Sequence, residues 1–349
     1  MKTRLHNRIN KKKLKKEIQY SEDKRITLSF YKYHRIEDPK GFRDLLYLLF
    51  SDSQVLGRIY VAKEGINAQL SVPAHSFQVF RESLYTIDFL NNVRLNTAIE
   101  DDGKSFFVLK IKIREKIVAD GLDDDFLDIS KGGLHIDAKK FNALTSSQDT
   151  VIVDMRNHYE SEVGHFDRAI CPDVATFRES LTVVEDIIEP HKDKDIVMYC
   201  TGGIRCEKAT AYFMAKGFKR LYQLEGGIIE YSRQVKNQNL ENKFRGKNFV
   251  FDERLGERIT EDVVALCHQC GEACDTHINC ANDACHLLFI QCHDCAKKYH
   301  QCCSQKCAEF IKLPAEQQKS LRAKTQFNGS RFGKGRYKAH RGSPGINLQ

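Results

Sequence analysis

Apolar and polar positions alternate through residues 26–33 (ITLSFYKY), a stretch rich in β-branched and aromatic side chains, which predicts a half-buried strand. Over residues 39–50 the period lengthens to that of a helix and sets Phe42, Leu45, Leu46 and Leu49 on one face. Strands GRIYVA (57–62) and NAQLSV (67–72) follow across the turn KEGI, then a helix over about 75–88 and a strand FFVLKIKIR (106–114). The order β-α-β-β-α-β predicts a ferredoxin-like α+β domain over 25–119, a scaffold that by itself says little about function.

Residues 120–133 carry acids and glycines without periodicity, and a linker is expected over 120–145. A second domain is expected over 146–240. TVIVDMR (150–156) and DIVMYC (195–200) read as buried strands, CEKATAYFMAKGF (206–218) as a helix stopped at Gly217, and RLYQLEGG (220–227) as a further strand. Strands alternating with helices imply a doubly wound parallel sheet. A charged connector (241–266), a cysteine-rich module (267–312) and a basic flexible tail (313–349) complete the chain, and a basic arm (1–24) precedes it; no internal repeat is present.

Length and composition fit this multidomain division. The chain has 349 residues, 41% hydrophobic and 29% charged, as expected of globular domains. No apolar run approaches the roughly 20 residues needed to span a bilayer, and the basic N-terminus has no apolar stretch behind it, so the expected location is the cytoplasm, with no membrane partner. The net charge of +8 is uneven. Residues 1–16 hold eight Lys/Arg and no acid, and residues 313–349 hold eight against Glu316 alone, so the ends sum to +15 and the body lies near −7. Such ends suit phosphate backbones, the plainer alternative being solubilising tails.

The chemistry is expected at Cys200. It ends an apolar strand, and Thr201, Gly202, Gly203, Ile204 and Arg205 turn the chain into the helix that begins near Cys206. Ligands of parallel sheets gather at the carboxyl ends of strands, and successive amides entering a helix form an anion cradle. Two glycines let those amides converge, and the helix dipole with Arg205 favours the thiolate. Cys200 and Arg205 are therefore the candidate catalytic residues, and Thr201, Gly202, Gly203, Ile204 and Cys206 the anion-cradle loop. Cys206 has two readings, a resolving thiol for an oxidised Cys200 or a helix residue facing away.

The sequence CTGGIR resembles the active loop of rhodanese-like sulfurtransferases, which implies a persulfide-bearing nucleophile at Cys200. DMRNHYESEVGHFDRA (154–169) and LEGGIIEY (224–231) resemble flanking motifs of the same fold, with Asp154, Arg156 and His165 expected to be structural. Phosphatase relatives of this fold use a longer loop; here Arg205 comes one residue too early. FYKY (30–33), KEGINAQLS (63–71), LKIKIREKIVADG (109–121), CTGGIRCEKA and GKNFVFDERLGERI (246–259) run in the order seen in bacterial oxygen-dependent tRNA uridine hydroxylases. That resemblance, over residues 4–310, implies formation of 5-hydroxyuridine at wobble position 34, an oxidoreductase reaction with O2 and an unidentified reductant as co-substrates and the tRNA anticodon region as partner. Lys110, Lys112, Arg114 and Lys116 could neutralise phosphates or simply form a solvated face. No flavin or nucleotide motif and no facial triad for iron is visible. The alternatives are a sulfurtransferase moving sulfur through a Cys200 persulfide and a non-catalytic RNA-binding redox sensor.

Ten of the thirteen cysteines lie between 267 and 307. In a reducing compartment this clustering reads as metal ligation, with a metal-free cluster or an iron–sulfur cluster as the alternatives. Two C-x2-C pairs, Cys267/Cys270 and Cys292/Cys295, are zinc-knuckle signals. Cys280, Cys285, Cys302 and Cys307 are taken as the second set, with Cys303 the alternative to Cys302, and the ligands could pair sequentially or cross-braced. One or two structural zinc ions are expected, and two closed sites would leave two cysteines over.

Overall fold

Helix α1 (Lys11–Tyr20) lies within the expected basic arm and leads into β1 (Arg25–Tyr33) of the first sheet. The computed structural model describes residues 11–122, 127–329 and 336–337, so parts of the arm and of the tail fall outside the described residues. It divides into two units: Met1–Asn157 with Phe166–Lys243 and Val250–Arg258, and His158–His165 with Phe244–Phe249 and Ile259–Gln349.

In the first unit, α2 (Pro39–Asp52) starts where the Asp38 carboxylate accepts from the Lys40 and Gly41 amides, with Pro39 pre-set for the first turn. Next come β2 (Leu56–Ala62), β3 (Gly65–Pro73), α3 (Phe77–Tyr85), β4 (Asn96–Thr97) and β5 (Leu109–Ile113). The sheet runs β4-β1-β3-β2-β5. The ferredoxin-like order is thus completed by the two-residue β4 beside β1, whereas the expected last strand pairs parallel to β2 at the opposite edge. Leu28, Phe30, Ile59, Val61, Ile66 and Leu70 bury one sheet face against Leu46, Phe50, Phe80 and Leu84, each contributing about 1.5–3 kcal/mol. Leu45, expected on that apolar face, is 43% exposed; the buried stripe centres on Leu46 and Phe50 instead.

The second sheet is made of β6 (Leu134–Ile136), β7 (Val151–Asp154), β9 (Ile196–Tyr199) and β10 (Leu221–Leu224) in the order β6-β10-β9-β7, every pair parallel. Strand β6 lies inside the stretch expected as a linker; three residues are too few to show a period. Helices α4 (Ala138–Thr145), α6 (Phe177–Ile188), α7 (Ile204–Ala215) and α8 (Gly227–Gln238) connect these strands. Between β7 and α6 the chain forms α5 (His158–Ser161) and β8 (Gly164–Phe166). Helix α6 carries a capping box, with Thr176 and Glu179 each bonding the other's backbone.

The C-terminal chain adds β11 (Phe244–Asn248), β12 (Glu257–Arg258), an antiparallel pair β13 (His277–Asn279) and β14 (Leu288–Ile290), and helices α9 (His293–Lys298), α10 (Gln305–Phe310) and α11 (Ala315–Leu321). Helix α11 falls in the segment expected to be flexible. One core cluster here is mostly cysteine: Cys280, Cys285, Cys302, Cys303 and Cys307 pack with Leu287, Phe289 and Ala308. Among the described residues no helix is long and apolar enough to cross a membrane.

Candidate active site and metal centres

Four buried residues of β9 deliver Cys200 to the carboxyl end of the parallel sheet, where its side chain is 1% exposed. Gly203 is the N-cap of α7 at φ 103°, a left-handed conformation that costs glycine least. Its amide donates to Cys200 Sγ at 3.2 Å. The start of α8 holds the loop from behind: the Ile228 amide donates to the Cys200 carbonyl at 3.0 Å and the Ile229 amide to Thr201 O at 3.3 Å. A Cβ on Gly227 would come within 2.4 Å of the Cys200 carbonyl oxygen, which gives the second glycine of LEGG a physical reason.

Burial alone pushes the Cys200 thiol up. The hydrogen bond from the Cys206 thiol, the Arg205 charge and the Arg205 and Gly203 amides outweigh it and bring the group down to about 6. For Cys206, burial and the neighbouring Cys200 act together and hold the thiol well above its ordinary value. One sulfur is thus disposed to carry charge and the other to donate a proton to it. Arg205 and Cys206 are buried at the start of α7, and Ile204 opens the helix. Thr201 Oγ1 is buried and has no hydrogen-bond partner among the described residues. Gly202 lies beside Asn96, whose Nδ2 would be in van der Waals contact, 3.6 Å, with a Cβ there.

The N-terminal domain supplies residues that the sequence reading did not assign to the site. Tyr31 Oη would lie 2.7 Å from a Cβ on Gly203, and it donates to Glu207 at 2.9 Å. Tyr33 donates to the Ile204 carbonyl at 3.0 Å. Burial, and then Glu207, push the Tyr31 phenol well up, so it remains a donor. Burial would raise Glu207, but hydrogen bonds from His135, Gln223 and Tyr31 hold its carboxyl below the usual range. The buried Lys208 ammonium bonds Glu64 at 2.6 Å and also Asp120, joining the N-terminal domain to helix α7. The signal available in the sequence was the i, i+2 spacing of Tyr31 and Tyr33, which puts both rings on one face of β1.

The flanking residues hold structure. Asp154 and Arg156 form a fully buried ion pair with an oxygen–nitrogen distance of 2.6 Å. His165 Nδ1 lies 2.9 Å from the Ser161 carbonyl.

In the second unit, eight sulfurs gather in two quartets, Cys267/Cys270/Cys292/Cys295 and Cys280/Cys285/Cys303/Cys307, each with all Sγ atoms within 4.8 Å of one another. Cys303, not Cys302, completes the second quartet. Neighbouring residues in a turn send their side chains different ways: Cys303 Sγ lies 3.6 Å from Cys285 Sγ and 3.8 Å from Cys307 Sγ, and its amide donates to Cys280 Sγ at 3.4 Å. Cys302 and Cys274 are left over. The separations exceed a disulfide bond, roughly 2.05 Å, and suit the edge of a zinc–thiolate tetrahedron with bonds of about 2.3 Å. The Cys292 amide to Cys267 Sγ (3.3 Å), the Gly329 amide to Cys285 Sγ (3.3 Å) and Asn282 Nδ2 to Cys307 Sγ (3.4 Å) add donors suited to thiolates. Either quartet could hold a metal ion.

Comparison with known proteins matches three stretches of the chain. Residues 25–117 match the UPF0176 acylphosphatase-like domain, 137–234 the rhodanese-like domain and 245–308 the rhodanase C-terminal family. Over 346 residues the chain is 52% identical to a Photorhabdus laumondii protein named tRNA uridine(34) hydroxylase, covering 99% of this chain and 98% of the relative. Proteins of the same name from Pectobacterium carotovorum and Yersinia pestis are 55% and 57% identical over 320 residues, 91% of this chain and 90% of each relative. With a rhodanese loop, an acylphosphatase-like domain and a cysteine-rich unit matched in order and at full length, the chain belongs to the tRNA uridine(34) hydroxylase family.

Proposed function

We propose that this protein hydroxylates C5 of uridine 34 in tRNA, with Cys200 as the nucleophile. The observation that carries the reading is the Cys200 sulfur, drawn down to about 6 at the head of α7 in a chain that matches the hydroxylases over 99% of its length. C5 of uracil is a poor partner for oxygen until a nucleophile adds at C6. The Cys200 thiolate, or a persulfide carried on it, forms the S–C6 bond and sends the electron pair towards C5 and O4. The carbon then attacks O2. One oxygen atom stays on C5, the other leaves as water with two electrons and two protons from a reductant, and loss of the C5 proton with departure of the sulfur from C6 as thiolate restores the C5–C6 double bond. The Arg205 guanidinium and the loop amides stand where negative charge builds.

The two cysteine quartets would hold zinc as closed, structural sites that fold the C-terminal unit and take no part in the redox step. The substrate is the tRNA anticodon region, and cysteines grouped as ligand sets suit the reducing cytoplasm.

Purified protein incubated with tRNA in isotope-labelled oxygen, followed by nucleoside mass spectrometry, tests the reading. Labelled 5-hydroxyuridine is the expected product, absent under argon. Unmodified tRNA together with cyanide-trappable sulfur turning over on Cys200 would replace this reading with a sulfurtransferase.

A further inference from the structure

Beyond Tyr31 and Tyr33, which reach the Cys200 loop, the second face of the N-terminal sheet carries residues that the chemistry above does not use. Side chains alternate along a strand, so the pairing register decides which residues share it. Ser29, Gln69, Arg58 and Lys110 form one row across β1, β3, β2 and β5, and Tyr31, Asn67, Tyr60 and Lys112 form the next. Every one of these residues is half-buried or exposed, while the alternating residues Leu28, Phe30, Ile59, Ala68 and Ile111 are buried in the core. Arg114, just past β5, sets its guanidinium carbon 5.5 Å from the Tyr60 ring centroid.

Two features say what covers this face. The first is charge: none of the five strands holds an Asp or Glu, although the body of the chain is net acidic, and the β5 edge gathers Arg58, Lys110, Lys112 and Arg114 around Tyr60. At β3 the second row is covered, Asn67 Nδ2 donating to the Ile117 carbonyl at 3.2 Å, so the exposed part of the face is the β2–β5 edge. Cations interleaved with an aromatic ring there suit an unpaired polyanionic strand, whose phosphates meet the cations and whose bases can stack. The second is continuity. The same rows begin at Tyr31, whose hydroxyl stands over Gly203, and at Ser29, paired with Asn96 beside Gly202. From β1 to β5 the face spans three inter-strand steps, about 14 Å at 4.7–4.9 Å each.

We propose that this face is the track on which the single-stranded anticodon loop lies. Arg58, Lys110, Lys112 and Arg114 take phosphates, Tyr60 stacks an unpaired base, and Tyr31 marks the end at which the target base meets the Cys200 loop. The inference rests on the tRNA hydroxylase reading and adds to it the surface that holds the substrate.

The test is tRNA binding by the full-length protein, measured by fluorescence anisotropy over a range of salt. Variants are Arg58→Glu/Lys112→Glu, Tyr60→Ala and, as a charge control on α4, Lys139→Glu; the alkylation rate of Cys200 reports whether the loop survives. The double reversal is expected to weaken binding at least about tenfold and to flatten the log–log salt slope by about 1.4, two single-strand phosphate contacts. Tyr60→Ala is expected to weaken binding about tenfold with the slope retained. Binding and slope equal to wild type in both variants, or an equal loss in Lys139→Glu, would overturn the inference. Because binding is read directly, a wild-type protein that binds tRNA through this face yet leaves uridine unmodified would remove the functional reading alone. An active hydroxylase indifferent to these substitutions would remove the track alone.

Discussion

At Cys200 a single sulfur receives an amide from Gly203 and a neighbouring thiol, with Arg205 beside it, and ends near 6. In the C-terminal unit eight sulfurs converge in two quartets whose members sit 3.6–3.8 Å apart where measured between sulfurs. The first place stabilises a thiolate by itself, whereas the second could do so only around a metal ion. Dipoles and one cation stabilise the first charge and leave the sulfur's lone pairs available for a bond to carbon. Four convergent thiolates cannot coexist without a cation between them, and once it binds their lone pairs are committed. Cysteine content is therefore uninformative by itself; what surrounds each sulfur decides between nucleophile and ligand.

The largest effect expected from breaking this contrast is in the quartets. Cys303→Ser or Cys285→Ser should abolish retention of one zinc ion per chain and unfold the C-terminal unit at ordinary temperature, read by metal analysis and by hydrogen exchange across residues 259–329. Zinc binding to such sites contributes roughly 10 kcal/mol or more, so little folded unit should survive. Cys302→Ser and Cys274→Ser, outside both quartets, should keep both ions; loss of an ion from either would reassign the ligands.

Gly227→Ala comes next. Its Cβ would meet the Cys200 carbonyl at 2.4 Å and its φ is 64°, so the loop must shift. A displacement of this kind should lower the hydroxylation rate about a hundredfold, measured as single-turnover kinetics, while tRNA affinity stays within a few-fold. A wild-type rate would mean that loop placement is not demanding.

A smaller effect belongs to Arg205. The reactive form is the thiolate, so the alkylation rate of Cys200 should rise with pH through about 6 and level off above it. Arg205→Gln removes a charge that favours the thiolate, so the midpoint should move up by about one unit, with about a twofold loss at neutral pH. An unmoved midpoint would assign the lowered value to the amides and Cys206 alone.

What the sequence revealed depended on how local each feature is. The Cys200 loop is six contiguous residues between a strand and a helix, and its position at the strand end was legible from them. The two C-x2-C pairs of the first quartet were legible because each turn presents two thiolates, but that the pairs share one cluster was not. The second was ambiguous at Cys302 and Cys303, since the spacings of adjacent cysteines to every other ligand differ by only one residue and only the turn before α10 separates them. Tyr31 and Asn96 reach the loop from strands more than a hundred residues earlier in the chain, which no local pattern encodes. Strands β4 and β6, of two and three residues, are too short to carry a period, and they gain their identity from the partners they pair with.

The central claim is that Cys200 performs the hydroxylation, and Cys200→Ser measured against wild type tests it most directly. Both proteins would be incubated with tRNA and a reductant in air, and 5-hydroxyuridine counted by nucleoside mass spectrometry, with tRNA affinity and melting temperature measured in parallel. The account predicts product from wild type and at least about a thousandfold less from the serine variant, which still binds tRNA and melts normally. Full hydroxylation by Cys200→Ser would contradict it.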